Sequence, residues 1–288
     1  MATTASLPEL HSFSGAPDSL PGQEVDGRAA PNAATQTRRL RLLLCPPPEG
    51  LDAVQAAFVQ AVADHLHGVT DVYSGATRSG LAKAAVPYDL VLLGEKRPSW
   101  WQLILGDPGG RQAARQIDTS VLLMRRPRWP LRHILLICRA EASDELTLPW
   151  VAQLAAGSGT AVTLLVVVPC IPALCRQPGP YPIGLQTLLH PHTTSGQRVR
   201  YLLQELLAAG IQARVHLRDG EPDEQIRQEA ATALYDMIVI AGEGDGRLRH
   251  TVVGELIPPI LAWLNTPLLL VRKPPPHIRP RQSEMQAP

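Results

Sequence analysis

A glycine-rich segment late in the chain carries residue types and a spacing that could bind phosphate. It follows a short apolar run, and its candidate ligand-binding residues are Gly242, Gly244, Gly246, Arg247, Gly254 and Glu255. Glycines let backbone amides approach a phosphate closely, and a helix that begins after such a loop presents its positive end to the anion. Residues of these types could therefore lie against a phosphate group. Arg247 would add a positive charge, although a solvated loop is the simpler interpretation of its basic residues.

Catalytic motifs that accompany such a loop in many enzymes are missing from the sequence. It contains no Gly-x-Ser-x-Gly, Walker or His-Glu-x-x-His motif, and no nucleophile, base and orienting residue can be grouped. The alternating glycines lack the full spacing of a dinucleotide loop and would follow a fourth strand rather than a first. We therefore predict a protein that is not an enzyme, with slow ATP hydrolysis as the alternative.

A proline-rich stretch holds two cysteines and two histidines that could form a tetrahedral zinc site. They are Cys170, Cys175, His190 and His192. A C-x4-C pair followed by H-x-H is not a usual zinc spacing, so we predict no metal. Four cysteines in 288 residues are too few for a disulfide framework and favour a reducing, cytoplasmic location.

The elements that must position these residues occur twice along the chain. PYDLVLLGE around Tyr88 matches LYDMIVIAGE around Tyr235, and DTSVLLMRRP from Asp118 matches NTPLLLVRKP from Asn265. Both pairs are 147 positions apart. Two matches at one spacing indicate an internal duplication.

The opening strands of the two copies also match, when LRLLLC is aligned with HILLIC on Cys45 and Cys138. That alignment is offset by 93 positions. The first copy is then 54 residues shorter between its opening strand and its Tyr-Asp strand. We expect it to lack about one strand and one helix.

Short, almost wholly apolar runs alternate with stretches of helical periodicity, which predicts a parallel sheet with helices on both faces. In the first copy the strands are predicted at 39–45, 69–73, 89–93 and 120–125, and the helices at 51–66, 77–86 and 109–117. In the second copy the strands are predicted at 133–138, 160–168, 212–217, 236–241 and 267–271, and the helices at 143–156, 197–209, 223–234 and 255–264.

The second copy resembles the universal stress protein family over residues 131–273, with a weaker echo over 38–127. The resemblance rests on a run of residues followed by a glycine-containing loop, a helix and the segment PLLLVR. The residues in that run are Gly220, Pro222, Ile226, Ala230, Asp236, Ile238, Val239 and Gly242. It implies two Rossmann-like, adenine nucleotide alpha hydrolase-like units in tandem. The expected organisation is a disordered tail over 1–36, domains over 37–127 and 131–273, and a disordered tail over 274–288.

The resemblance also implies two branches, of which one binds ATP through a Gly-x2-Gly-x9-Gly-Ser/Thr loop. Here Gly242 and Gly254 are 12 positions apart instead of 13, and Glu255 replaces the hydroxyl. Asp107 follows Gly106 in the first copy in the same way. A carboxylate about 4 Å from a phosphate charge costs roughly 4 kcal/mol at an effective dielectric near 20, well over a hundredfold in affinity.

The strand ends depart from the family in the same direction. The family commonly has an acidic residue after its first strand, whereas Arg139 follows that strand here; Val168, at the end of the second strand, completes the candidate set. We therefore expect a stress-response or regulatory module that acts through protein contacts, with a degraded nucleotide site and no cofactor. The alternative is an ATP-binding stress regulator that uses the 242–255 loop and Arg139.

Charge and hydropathy limit the partners. The net charge is +1, from 27 basic and 26 acidic residues, which is too small to attract the phosphate backbone of a nucleic acid. No apolar run is long enough for membrane insertion. We predict an intramolecular pseudo-dimer that pairs VLLMR with PLLLVR, with a homodimer as an alternative and an unidentified protein partner. Trp100 and Trp101 mark either an interface or packing over the shortened sheet.

Replacing Glu255 by Ser tests the carboxylate argument. The substitution restores the family's hydroxyl, so nucleotide affinity at the second copy should rise in isothermal titration, at a stability cost of no more than about 1 kcal/mol. Asp107→Ser should gain little, because the first copy lacks a strand. Equal gains at both sites would show a competent first pocket, and no gain at Glu255 would assign the defect to the glycine spacing.

Overall fold

The computed structural model has the α/β fold that the apolar strand patterns predict. It describes residues 39–47, 49–73, 78–94, 119–140, 142–168, 193–242 and 256–276, all within one compact unit. The tail over 1–36, the helix over 109–117 and Trp100 and Trp101 lie outside these residues. Of the expected tail over 274–288, the described residues include Pro274–Pro276, of which Pro275 is buried.

Nine strands of the described chain form a single sheet in the order β2-β1-β3-β4-β9-β8-β5-β6-β7. The strands are β1 Leu40–Cys45, β2 Gly68–Val72, β3 Leu90–Gly94, β4 Ser120–Met124, β5 His133–Cys138, β6 Ala161–Val168, β7 Gln212–Asp219, β8 Met237–Ala241 and β9 Leu268–Val271. All neighbours are parallel except β4 and β9, which are antiparallel. The prediction of a large, mostly parallel sheet is confirmed.

Helices cover both faces of this sheet. They are α1 Ala53–His65, α2 Arg78–Ala85, α3 Thr147–Ala155, α4 Thr194–Ala208, α5 Pro222–Thr232 and α6 Ile257–Trp263. Side chains of α1, α3 and α4 pack on one face, and those of α2, α5 and α6 on the other. The inner strands are therefore apolar on both sides, which explains why their sequences do not alternate, whereas the edge strands β2 and β7 carry polar side chains.

Local capping residues set where several helices begin. The Asp52 carboxylate accepts a hydrogen bond from the Gln55 backbone amide at 2.8 Å, and the Gln55 side-chain oxygen accepts one from the Asp52 backbone amide, so α1 starts with a capping box. The predicted helix start at 143 is wrong. Residues Ala142–Leu146 form a 3₁₀ turn, and α3 begins only at Thr147, whose hydroxyl donates to the Asp144 carbonyl.

The antiparallel pair β4–β9 joins the first half of the sheet, β1–β4, to the second half, β5–β9. Leu122 lies opposite Leu269, and Val121 and Leu123 lie opposite Leu270 and Leu268. Leu122 and Leu269 are 147 positions apart, so they occupy the same place in the two matching sequence segments. The seam therefore has the self-complementary pattern of a two-fold interface, and the predicted pairing of VLLMR with PLLLVR is confirmed.

Side chains cross this seam on both faces of the sheet. Arg125, after β4, donates to the carbonyls of Leu261 and Leu264 at 2.7 and 2.5 Å, and so caps the end of α6. On the opposite face a ring nitrogen of His65 at the end of α1 lies 2.9 Å from the Gln153 carbonyl in α3. Each half therefore satisfies polar groups that belong to the other.

The duplication is visible in one repeated hydrogen bond. Asp89, before β3, accepts from the Arg41 amide at 2.8 Å, and Asp236, before β8, accepts from the His133 amide at 3.0 Å. These aspartates are 147 positions apart. Each fixes the start of the neighbouring strand, which explains why Tyr-Asp precedes both strands.

Alignment of the opening strands on their cysteines is wrong by one residue. Leu42 pairs with Leu90 and Ile134 pairs with Met237, so Leu42 and Ile134 are equivalent and the offset is 92 rather than 93. Cys45 consequently faces α2 whereas Cys138 faces α3. A slip of one residue moves a side chain to the other face of a sheet, but an unbroken apolar run does not reveal such a slip.

Within the described residues the first half has four strands and the second half has five. Strand β6 in the second half corresponds to β2 in the first, since each flanks its opening strand. Strand β7 and helix α4 have no counterpart in the described part of the first half. The expected deficit of about one strand and one helix agrees with this difference.

Truncation of the seam leucines should destabilise the whole sheet. Leu122 and Leu269 are each only 1% exposed, so Leu122→Ala and Leu269→Ala should each lower the free energy of unfolding by about 2 to 5 kcal/mol. Urea unfolding followed by circular dichroism measures this. Leu207→Ala, at a side chain that is 51% exposed, is the control and should cost under about 0.5 kcal/mol. A seam variant as stable as this control would contradict the packing.

Candidate functional site

Each half of the sheet has one crevice at the carboxyl ends of its strands, where the direction of strand addition reverses. In the second half the chain runs from β5 through β6 to β7 on one side and then returns to β8 on the other. The crevice between β5 and β8 is the place where open α/β sheets bind ligands. The equivalent crevice of the first half lies between β1 and β3.

Arg139 spans the second-half crevice. It follows β5, and its Nη2 atom lies 3.3 Å from the Ala241 carbonyl and 3.5 Å from the Gly242 carbonyl at the end of β8. The same nitrogen donates to the Ser143 hydroxyl at 3.2 Å. The guanidinium is therefore held inside the crevice by groups of the protein itself.

Gly242 is packed too closely for any larger residue. Its amide donates to the Val271 carbonyl at 2.5 Å. A Cβ atom at this position would lie 2.9 Å from Cγ of Arg272 and 3.2 Å from the Val271 carbonyl. Arg139 and Arg272 thus flank the first residue of the predicted glycine loop, and two cationic side chains approach one point of the crevice.

A buried thiol and carboxylate lie below this point. Cys138, the last residue of β5, lies with its sulfur 3.5 Å from a carboxylate oxygen of Asp144. Burial, with the Asp144 charge, raises the pKa of Cys138 well above its usual range. The thiol therefore stays protonated at neutral pH. Beside it Ala140 has a left-handed backbone (φ 58°), and its carbonyl accepts a hydrogen bond from Arg198 at 3.2 Å.

The first-half crevice is filled by apolar side chains. A Cβ atom on Gly94, at the end of β3, would lie 2.6 Å from Cδ of Pro47 and 3.1 Å from Leu51. Pro47 is buried, and burial raises the pKa of the neighbouring Cys45 thiol to about 12. The equivalent of the Arg139 position is therefore closed by a proline-rich turn.

Of the residues predicted to form the site, the structure brings Arg139 and Gly242 into contact. Val168 ends β6, beside β5, and so lies at the same edge of the sheet. Gly244, Gly246, Arg247, Gly254 and Glu255 lie outside the described residues, as do Asp107, Cys170, Cys175, His190 and His192. The described part of the chain contains no group of three or more metal-binding side chains. None of the helices in that part could cross a membrane.

Sequence reasoning missed Arg198, Ser143 and the part that Arg272 plays in the crevice. Arg272 stands in the quoted PLLLVR motif, directly after the last strand, and β9 neighbours β8. Because Arg272 follows β9 and Gly242 follows the neighbouring strand β8, the sequence could have predicted that these two residues lie close together. No sequence signal identifies Arg198, since its contact depends on how α4 packs.

Residues 130–272 match the model of the universal stress protein family. The chain contains a universal stress protein domain. The matched residues cover β5–β9 and both arginines of the second-half crevice. Thus the resemblance noted from the Gly220–Gly242 stretch is confirmed, and the crevice belongs to the universal stress protein domain.

Solved structures to which the chain is similar are also universal stress proteins. One is from Archaeoglobus fulgidus DSM 4304, with 12% identity, a TM-score of 0.47 and coverage of 76% of each chain. Another, from the universal stress protein family of Burkholderia pseudomallei, has 18% identity over 51% of this chain and 99% of that chain, with a TM-score of 0.36.

A third structure is the Archaeoglobus fulgidus universal stress protein in complex with dAMP. It has 14% identity over 50% of this chain and 99% of that chain, with a TM-score of 0.35. No curated protein matches the chain.

A second polar cluster lies on the other side of the universal stress protein domain and clamps α5 to β7. The buried carboxylate of Glu229 accepts hydrogen bonds from Tyr235 at 2.6 Å and from Arg218 at 2.6 and 3.0 Å. A ring nitrogen of His216 lies 2.9 Å from the same carboxylate. Burial alone would raise the pKa of Glu229, but these partners outweigh it and lower the pKa to about 2.

The Glu229 cluster predicts a loss of stability in acid. Because the folded pKa is about 2 against an ordinary 4.5, its stabilisation is complete above pH 4.5 and is lost as the pH falls toward 2. Glu229→Gln should cost about 1 to 3 kcal/mol at pH 7, and its difference from the wild type should shrink over that range. Urea unfolding at several pH values measures both.

The matched control is Glu224→Gln on the same helix. Glu224 forms an exposed pair with Arg227, and exposed ion pairs contribute little to stability. The assigned role would be contradicted if the free energies of unfolding of the wild type and Glu229→Gln differed by the same amount at pH 6 and at pH 2.

Proposed function

We propose that this protein is a non-catalytic stress-response regulator that acts through contacts with other proteins, with a weakened nucleotide site and no bound cofactor. The observation that carries the proposal is the position of Arg139 in the second-half crevice. Its guanidinium is bonded to the carbonyls of Ala241 and Gly242. A nucleotide that entered here would have to displace these contacts and turn the guanidinium out of the crevice.

The first half supports the same proposal. Pro47 and Leu51 occupy its crevice, and a bound nucleotide would have to unfold that turn. Asp107 and Glu255, where the ATP-binding family members have hydroxyl residues, would add repulsion in both halves. A chain that closes both crevices with its own side chains retains its outer surface as the means of action.

The seam supports a tandem organisation. We assign one unit to 37–127, a second to 131–273, and tails to 1–36 and 274–288. Antiparallel pairing of β4 with β9 then makes the chain an intramolecular pseudo-dimer, because duplicated residues lie opposite each other as they do across a two-fold axis. The free, buried thiols of Cys45 and Cys138 suit a cytoplasmic location.

A second candidate function is ATP binding by the universal stress protein domain. Arg139 and Arg272 both flank Gly242, and either guanidinium could turn toward a phosphate. The ligand set would comprise Arg139, Val168, Gly242, Gly244, Gly246, Arg247, Gly254 and Glu255. Under this alternative Arg139 is a ligand-binding residue rather than an obstacle.

Isothermal titration with ATP and magnesium separates the two functions through Arg139→Ala. If Arg139 fills the crevice, the wild type should bind more weakly than about 100 μM, and Arg139→Ala should bind at least as tightly. If Arg139 holds phosphate, the wild type should bind more tightly than about 100 μM and the variant should lose about tenfold, the equivalent of about 1.4 kcal/mol.

The control is Arg128→Ala, at an exposed arginine between the two halves. It removes the same charge away from the crevice and should leave the titration unchanged. Tight wild-type binding that Arg139→Ala weakens, with Arg128→Ala unaffected, would overturn the regulatory proposal in favour of ATP binding.

A further inference from the structure

Strand β2 ends the first half of the sheet with exposed apolar side chains. Val69 is 47% exposed and Val72 is 64% exposed. In the described residues β2 pairs only with β1, whereas the corresponding strand β6 is covered along its whole length by β7. The second half of the chain therefore shows how an additional strand can pair with an edge of this kind.

The register of the two halves gives the exact counterpart of each β2 residue. Leu43 and Leu135 are equivalent, because they pair with the duplicated residues Val91 and Ile238. Their neighbours on the other side are Asp71 in β2 and Thr163 in β6. Asp71 thus occupies the position of Thr163, and Val72 the position of the following residue.

Strand β7 shows what chemistry lies opposite these positions. Its residues Ala213, Arg214 and Val215 pair with Val162, Thr163 and Leu164 of β6, in that order. Arg214 Nε donates to the Thr163 hydroxyl at 3.1 Å. A small apolar residue, a basic residue and a larger apolar residue therefore follow one another on the covering strand.

A strand with the same three residue types would make a stronger central contact with β2 than with β6, because its basic residue would lie opposite Asp71. Asp71 carries a carboxylate where β6 has a hydroxyl, and 51% of its side chain is exposed. Tyr88 donates to that carboxylate at 2.9 Å, and Arg41 lies 3.7 Å from it. These contacts hold Asp71 in place at the edge, where a basic side chain from a neighbouring strand can reach it.

Within the described part of the chain, backbone groups of β2 are also available along this edge. The Tyr73 amide, which follows β2, donates to the Leu44 carbonyl of β1 at 2.8 Å. Because successive residues of a strand direct their backbone groups to opposite sides, Thr70 and Val72 direct theirs away from β1. An added strand would find main-chain partners there, as in β-strand addition.

We propose that β2 is a docking edge for an extended segment of a partner protein with a small apolar, a basic and a larger apolar residue in succession. The proposal rests on the proposed action through protein contacts and names the surface used. The segment adds a fifth strand to the first half, as β7 does in the second. The basic residue meets Asp71, and the larger apolar residue covers Val72.

The test uses a fluorescein-labelled peptide with the sequence of residues 210–220, which contains β7, and the full-length chain. Fluorescence anisotropy should show saturable binding to the wild type. Val72→Lys should weaken binding at least tenfold. Leu207→Lys, at an exposed apolar residue of α4 in the second half, is the matched control and should leave binding unchanged.

A charge exchange tests the central contact. A peptide with Arg214→Glu should bind the wild type at least fivefold more weakly than the unaltered peptide, and Asp71→Lys should reverse that preference. No saturable binding, or binding that neither Val72→Lys nor Asp71→Lys alters, would overturn the proposal. So would a wild-type dimer in sedimentation that Val72→Lys dissociates, since a second copy would then hold the edge.

The two proposals fail separately. A peptide that does not bind leaves the ATP titration and the regulatory proposal unaffected. Micromolar ATP binding that depends on Arg139 overturns the regulatory proposal without changing peptide binding at β2, which lies in the other half of the sheet.

Discussion

Antiparallel pairing of β4 with β9 is the interaction on which the rest of the structure depends. Each is the last strand of its half and would otherwise present an unpaired edge. Their pairing buries Leu122 against Leu269, brings Arg125 to the end of α6 and sets α1 beside α3. One sheet with two crevices follows, and so do two outer edges, β2 and β7.

The two halves use the same scaffold differently. Asp89 and Asp236 make equivalent hydrogen bonds to the backbone at the start of β1 and β5, so the strand arrangement is the same at this point in both halves. The two crevices differ in the side chains that occupy them, since Pro47 fills the first and Arg139 crosses the second. A duplicated scaffold needs only its strands and seam to remain stable, which leaves crevices and edges to diverge. Because the protein's own side chains occupy both crevices, the proposed function falls to an edge of the sheet.

Much of this fold could be predicted from sequence, because strands and helices repeat at a spacing of 147 and the strand pattern is strong. The first-strand alignment failed, since residues 42–45 and 134–138 are apolar throughout and fit equally well one residue apart. The Glu229 cluster could not be predicted either: Arg218, His216 and Tyr235 meet only when α5 packs on β7. Of the site, Arg139 and Gly242 were predicted together because strand ends are easily placed, whereas Arg198 depends on helix packing.

Hydrogen–deuterium exchange with and without ATP and magnesium tests most directly the claim that the protein's own side chains close both crevices. We expect unchanged exchange around Arg139 and Gly242, and around Pro47 and Gly94, at nucleotide concentrations up to about 100 μM. Protection of the Arg139 and Gly242 segments at micromolar ATP would contradict this claim, and protection at Pro47 and Gly94 would contradict it for the first half as well.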